Sequence, residues 1–240
     1  MKKNLSDTIV GSGFIAKSFN DQKHELEKLN ICLYAAGVSN SQTNDKNLLI
    51  KDKNRIIDFS KKFDKKKKLV YISTCSIEDP SRNENSYVRN KVYIEGLLKE
   101  MFNKFLIIRL PEVVGKNDNK TSLINFLHYC IKNKIKFDMW KKAKRNIIDI
   151  EDVVSIVMIL LKKTELVNTK INIANPINYK VSEIVKNLEI LNTTKADYNL
   201  IDKGNESWHI DISEVSEIIK DNKINFDQNY LHKVLKKYYF

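Results

Sequence analysis

The chain alternates short, unbroken apolar runs with stretches whose apolar residues recur every three or four positions. The runs lie at 8–10, 30–37 ("NICLYAAG"), 68–74 ("KLVYIST") and 105–110 ("FLIIRL"). Strands apolar on both faces belong inside a sheet covered on both sides. Between and after them, 14–28, 46–63, 86–102 and 121–134 carry helical spacing, with Ile56, Ile57, Phe59 and Phe63 sharing one face of the second. This alternation predicts an α/β fold with a doubly wound parallel sheet. After residue 137 the pattern loosens. It predicts a short strand within "NIIDI", an apolar helix opening at Glu151 or Asp152, a strand at 170–175 and a helix at 181–191. "WHIDISEVSEIIKD" reads as strand, turn and helix, and 228–238 as a closing helix. The expected division is a core over 1–137, completed by 144–175, and a small annex over 176–240.

Net charge is +12, which brings nucleic acid to mind. Only five of the 42 basic residues are arginine, however, and the lysines are scattered among Asn and Ile. The one dense run, Lys65–Lys68, precedes a strand, where a solvated turn is expected. Nucleic acid is therefore not an expected partner. No apolar run approaches the ~20 residues that span a bilayer, so the expectation is a cytoplasmic protein without membrane attachment. Cys32, Cys75 and Cys130 are odd in number, lie in apolar segments and lack metal-ligand spacing. They read as core residues, and no metal site is expected.

Four pieces carry candidate chemistry. In "VGSGFIA", Gly11 permits a tight turn, Gly13 lets the backbone approach a phosphate, and Ala16 lets a helix pack on the strand. Ala35, Ala36 and Gly37 leave room at the end of an apolar strand. Ser73, Thr74, Cys75 and Ser76 end the next strand, at the sheet edge where open α/β folds bind ligands. Tyr87 and Lys91 are four apart in a predicted helix, so they share a face. A nearby cation favours phenolate, which would let Tyr87 exchange a proton near neutral pH.

Together these residues resemble the extended branch of the short-chain dehydrogenase/reductase superfamily, the NAD-dependent epimerase/dehydratase family acting on nucleotide sugars. "IIRLPEVVG" (107–115), "KRNIIDIEDVV" (144–154) and "KINIANPINYKVSEIV" (170–185) are similar to later segments of that family. The resemblance implies a Rossmann-like core and NAD or NADP as cofactor. It implies Tyr87 as catalytic acid/base, Lys91 as the residue that lowers its pKa and holds the nicotinamide ribose, and Thr74 as partner of the substrate oxygen. Gly11, Ser12, Gly13, Phe14, Ile15, Ala36 and Gly37 would line the cofactor site. Ser76 and Arg145 would meet the substrate, Arg145 at the nucleotide diphosphate. Asp152 reads as a helix cap and Arg109 as structural. The family further implies a homodimer through helices 46–63 and 86–102, and a place in surface polysaccharide synthesis.

One departure stands out. Only a short segment separates the helix start at Phe14 from "NICLYAAG", which resembles the family's fourth strand. Two strands are missing, and with them the acidic residue expected about 20 positions on to read the adenosine ribose. NAD and NADP are therefore not distinguished. A right-handed crossover from the first strand to this neighbour would also move the intervening helix to the opposite face of the sheet. Two readings remain open: a reductase, epimerase or dehydratase of nucleotide sugars, or a nucleotide-sugar-binding or regulatory protein that keeps the fold without redox chemistry.

Overall fold

Five parallel strands form the main sheet, in the order β1 (Ile9–Val10), β2 (Ile31–Tyr34), β3 (Lys68–Thr74), β4 (Phe105–Leu110), β8 (Thr169–Asn172). The computed structural model describes residues 8–117, 119, 121–163, 166–204 and 209–240. Alternate side chains of β1 to β4 enter two different cores. Leu33, Val70, Leu106 and Ile108 face α6 (Ile150–Lys163) and α8 (Ser213–Asp221). Cys32, Tyr34, Tyr71, Phe105 and Ile107 face α3 (Lys46–Ser60) and α4 (Ser86–Met101). The fold is Rossmann-like, and β1 and β8 are its edge strands among the described residues.

The segment 14–28 is not one helix. It breaks into α1 (Phe14–Ser18), a 3₁₀ turn (20–22) and α2 (Lys23–Lys28). Ser18 Oγ bonds back to the Phe14 carbonyl at 2.9 Å, and the break lets both Phe19 and Leu26 turn fully inward. Both enter the α6 core, and Glu25 pairs with Lys162 of α6 at 3.5 Å. The helices after β1 therefore lie on the face opposite α3 and α4, although all three connections step the same way across the sheet. Successive crossovers with helices on opposite faces have opposite hands, so the first is left-handed against a strong general preference. The predicted change of face does not occur. Burying a Phe and a Leu against α6, about 1.5–3 kcal/mol each, favours the face observed.

The strand predicted over 30–37 is shorter, because Asn30 sits at φ 55° and the chain leaves the ladder after Tyr34. Asp45, Asn85 and Ser122 cap α3, α4 and α5 (Leu123–Lys132) through their side chains. Asp152 is not a cap. Asp149 accepts from the Glu151 amide at 2.9 Å and takes that role, while Asp152 accepts from Tyr230 Oη at 2.6 Å. In "WHIDI", Trp208 lies outside the described residues, and His209–Ile212 is not a strand.

A second core is built from short strands, of which the apolar pattern announced only the one within "NIIDI". β5 (Glu112–Val114) pairs parallel with β7 (Lys144–Asp149), which pairs antiparallel with β9 (Asn178–Lys180). β6 (Phe137–Trp140) and β10 (Tyr198–Ile201) form a separate parallel pair. With α5, α7 (Val181–Asn192) and α9 (Tyr230–Tyr239), they enclose Leu127, Phe137, Ile147, Ile184 and Leu235. This core takes chain from both sides of residue 144.

A buried polar network ties the layers together. Glu95 accepts from Ser73 Oγ at 2.6 Å and from Arg109 Nε and Nη2 at 3.0 and 2.6 Å. Arg109 Nη1 reaches Glu78 at 2.9 Å, and Glu78 accepts from Asn172. Removing one partner leaves a buried charge uncompensated, which costs about 3–5 kcal/mol. Glu95→Ala is expected to lower unfolding free energy by about that amount in urea denaturation. A loss below about 1 kcal/mol would show that Glu78 alone satisfies Arg109.

Candidate active site

Two clefts open at the carboxyl ends of the sheet strands, where a parallel α/β sheet presents its loops. The larger, of about 770 Å³, runs from the glycine turn over the end of β2 to Lys91, and every residue predicted to meet the cofactor lines it. The smaller, of about 420 Å³, is lined by Ser76, Arg82, Glu112 and Arg145. Thr74 and Tyr87 line both.

Gly11 has φ 135°, and a Cβ there would meet the Ala35 carbonyl oxygen at 2.6 Å. The turn is thus closed against β2, and a side chain is excluded on two grounds. At Gly37 a Cβ would collide with Lys91 Nζ. At Gly13 it would meet no protein atom, so the turn's outer side is open. Phe14 and Ile15 also belong to the packing: both join the α6 core, and Phe14 fills the space above Gly115.

Helix α4 delivers Tyr87, Lys91 and Glu95 as one stripe, four residues apart, all buried. Asn85, its cap, also bonds the Ser41 carbonyl at 3.1 Å, which fixes the loop after β2 beside it. Lys91 is not among the groups that lower the Tyr87 pKa in the free site. Its ammonium donates to Tyr71 Oη at 3.2 Å and lies 5.7 Å from the centre of the Tyr87 ring. Burial lowers the Lys91 pKa, with Asp52 and then Glu95 opposing. Burial also pushes the Tyr87 phenol up to about 12, against a hydrogen bond with Thr74 that favours ionisation. Desolvation outweighs the cation four residues away, so the free site holds a protonated phenol.

The smaller cleft has a cationic end that the sequence only half disclosed. Arg145 from β7 was expected there; Arg82 was not. Arg82 comes from a 3₁₀ turn (80–82) capped by Asp79 and donates to Ser76 Oγ at 3.4 Å. Burial and then the charge of Arg82 lower the Arg145 pKa, while Glu112 and Asp79 oppose. Burial raises the Glu112 carboxyl, which accepts from the Leu123 amide at 3.1 Å. Nothing but an unpatterned polar loop, "EDPSRNEN", pointed to Arg82. Trp140, about half exposed, lines a small adjoining hollow with both arginines. Arg109 and Asp152 line none of these clefts. Among the described residues no three His, Cys, Asp or Glu converge as metal ligands.

The larger cleft suits part of a nicotinamide dinucleotide. Lys91 Nζ faces it with donors beyond the one given to Tyr71, Gly37 leaves that ammonium room, and the glycine turn is open. The adenosine side is different. Glu25 pairs with Lys28 and Lys162, and Glu27 accepts from Thr8 at 3.0 Å, at the opposite end of β1 from the turn.

Comparison with known proteins matches residues 30–174 to the NAD dependent epimerase/dehydratase family. The match begins at β2, beyond the shortened first unit. No curated protein matches the chain. Among solved structures, UDP-glucuronic acid 4-epimerase from Bacillus cereus, in complex with UDP-glucuronic acid and NAD, is 16% identical with a TM-score of 0.68, over 91% of this chain and 77% of that one. RMD from Pseudomonas aeruginosa, complexed with NADPH, is 12% identical with a TM-score of 0.65, over 86% and 79%. The Thermus thermophilus UDP-glucose 4-epimerase, in complex with NAD, is 11% identical with a TM-score of 0.65, over 92% and 78%.

The raised Tyr87 pKa has a sign that can be checked. Above the ordinary tyrosine value of 10.0 the unfolded chain loses its proton first, while the folded chain keeps it to about 12. Stability therefore falls with rising pH in that window and is untouched below it. Between about pH 9 and 11, wild type is expected to lose ~1.4 kcal/mol more than Tyr87→Phe in denaturant titrations. Equal losses would place the phenol at its ordinary value.

Proposed function

The chain belongs to the NAD dependent epimerase/dehydratase family, and from that premise we propose that it performs hydride chemistry on a nucleotide sugar. The observation that carries this is the position of Thr74 and Tyr87 on the wall shared by both clefts. A group bound in one and a group bound in the other would meet at these two hydroxyls. NAD or NADP in the larger cleft would supply the hydride carrier. Lys91 would hold the ribose beside it, and Thr74 would orient the substrate oxygen against Tyr87.

A protonated phenol can donate to a keto oxygen, and the same group can take the proton back in the reverse step. Arg82 and Arg145 would take the substrate's diphosphate: two guanidiniums that repel one another across a cleft are stabilised by an anion between them. Trp140 offers a face to the base. Exposed Ile50, Val92 and Tyr93 lie on α3 and α4, and they support a homodimer through those helices. Nucleotide sugars and NAD are metabolites of the cytoplasm, the expected location. Surface polysaccharide synthesis is the expected setting. The shortened first unit favours a second reading, a nucleotide-sugar-binding protein without redox chemistry.

NADH and NADPH titrations followed by dihydronicotinamide fluorescence separate the two readings, and micromolar binding is the expected result. With a nucleotide keto-sugar as substrate, Tyr87→Phe should then lower kcat by roughly 10²–10⁴. Arg145→Ala should raise KM by about tenfold or more with a smaller change in kcat. Full activity in Tyr87→Phe would remove the assignment, and no cofactor binding at millimolar concentration would leave the binding-protein reading.

A further inference from the structure

We propose that this chain reads its dinucleotide from the nicotinamide end: Arg55 supplies the phosphate charge beside that half, and the adenosine contributes little to affinity. The inference rests on the cofactor reading above and deepens it.

Three observations carry it. First, α2 leads directly into β2, which pairs with β1, so no described strand lies beyond the glycine turn on the side where an adenosine would extend. The carboxylates on that connection are committed elsewhere: Glu25 to lysines, Glu27 to Thr8 at the far end of β1. Second, α1 has only five residues. A helix that short sums few peptide dipoles, so the charge of a pyrophosphate needs another partner.

Third, Arg55 stands where that partner is needed. It projects from α3 across the end of β2, donates to the Ala36 carbonyl and lies 3.9 Å from Asp52. Asp52 is itself fixed by the Val38 amide at 3.3 Å and Asn90 at 3.0 Å. The guanidinium lines the larger cleft together with the glycine turn and Lys91, and its side chain is 48% exposed. Ala35, whose carbonyl closes on Gly11, is the neighbour of Ala36. Arg55 thus sits between the turn and Lys91, with donors left over for a phosphate. A guanidinium beside a backbone turn is well suited to one phosphate.

The test compares reduced nicotinamide mononucleotide, NADH and reduced nicotinamide riboside by fluorescence titration of the wild-type protein, with adenosine as a competitor. The mononucleotide is expected to bind within tenfold of NADH, and adenosine, which has neither the phosphate nor the ribosyl nicotinamide, is expected not to compete at millimolar concentration. Arg55→Met should weaken NADH and the mononucleotide by tenfold or more and leave the riboside, which has no phosphate, unchanged. Arg55 is half exposed, so the variant should fold, and its circular dichroism checks that.

A mononucleotide more than tenfold weaker than tightly bound NADH overturns this inference and leaves the proposed function intact. So does an Arg55→Met variant that binds both as well as wild type. Failure of NADH, NADPH and the mononucleotide alike removes this inference together with the hydride-transfer function.

Discussion

The ion pair between Glu95 and Arg109 sets the geometry on which the site depends. Glu95 lies four residues beyond Lys91 and eight beyond Tyr87, so whatever holds Glu95 holds all three. Its carboxylate receives Ser73 from the end of β3 and a two-nitrogen grip from Arg109 in β4. Ser73 immediately precedes Thr74. The α4 stripe is thereby registered against the strand carrying the second hydroxyl of the site, through buried contacts of which Ser73 alone borders a cleft. Apolar packing alone resists sliding of a helix on a sheet only weakly; a bidentate, buried pair admits one register. Glu78 and Asn172 extend the same hold to β8 and the Asp211 carbonyl.

The first unit obeys a different constraint. No described strand lies between β1 and β2 along the chain, where the family resemblance implies two, yet the glycine turn stays on the α6 side. Moving α1 and α2 to the other face would have restored the preferred crossover hand. It would also have stripped Phe19 and Leu26 from α6, a helix with seven buried residues. The core therefore fixed the turn's location, and the break at Phe19 is the local adjustment that closes so short a left-handed connection.

Much of this was legible, for identifiable reasons. The four parallel strands over 8–10, 30–37, 68–74 and 105–110 announce themselves because burial on both faces leaves continuous apolar runs. The Tyr87–Lys91 pair and Thr74 show in the sequence because helical spacing and a strand end are local patterns. What stayed hidden depends on distance in the chain. The strands at 112–114, 178–180 and 198–201 are three or four residues long, too short for a period to register. Arg82 reaches Arg145 from a loop without regular pattern. The partner of Lys91 is Tyr71, 20 residues away on another element, and nothing in Tyr87–Lys91 spacing reveals that burial, not the ammonium, controls the phenol.

The distribution of cations follows from these constraints. The chain carries +12, but its arginines are few, and three of the five line clefts at the ends of the strands. Lysines supply the diffuse charge, as flexible, strongly hydrated groups do at a surface. The three cleft arginines stand at the extremities, Arg82 and Arg145 at one end and Arg55 at the other. Between the two cationic ends lie the hydroxyls of Thr74 and Tyr87, the buried ammonium of Lys91, the Glu112 carboxyl and apolar side chains that include Phe14 and Leu110. Such a surface suits a ligand pair with phosphates at both extremities and neutral, hydroxyl-rich groups in the middle. A nucleotide sugar meeting the ribosyl nicotinamide half of a dinucleotide has that charge pattern.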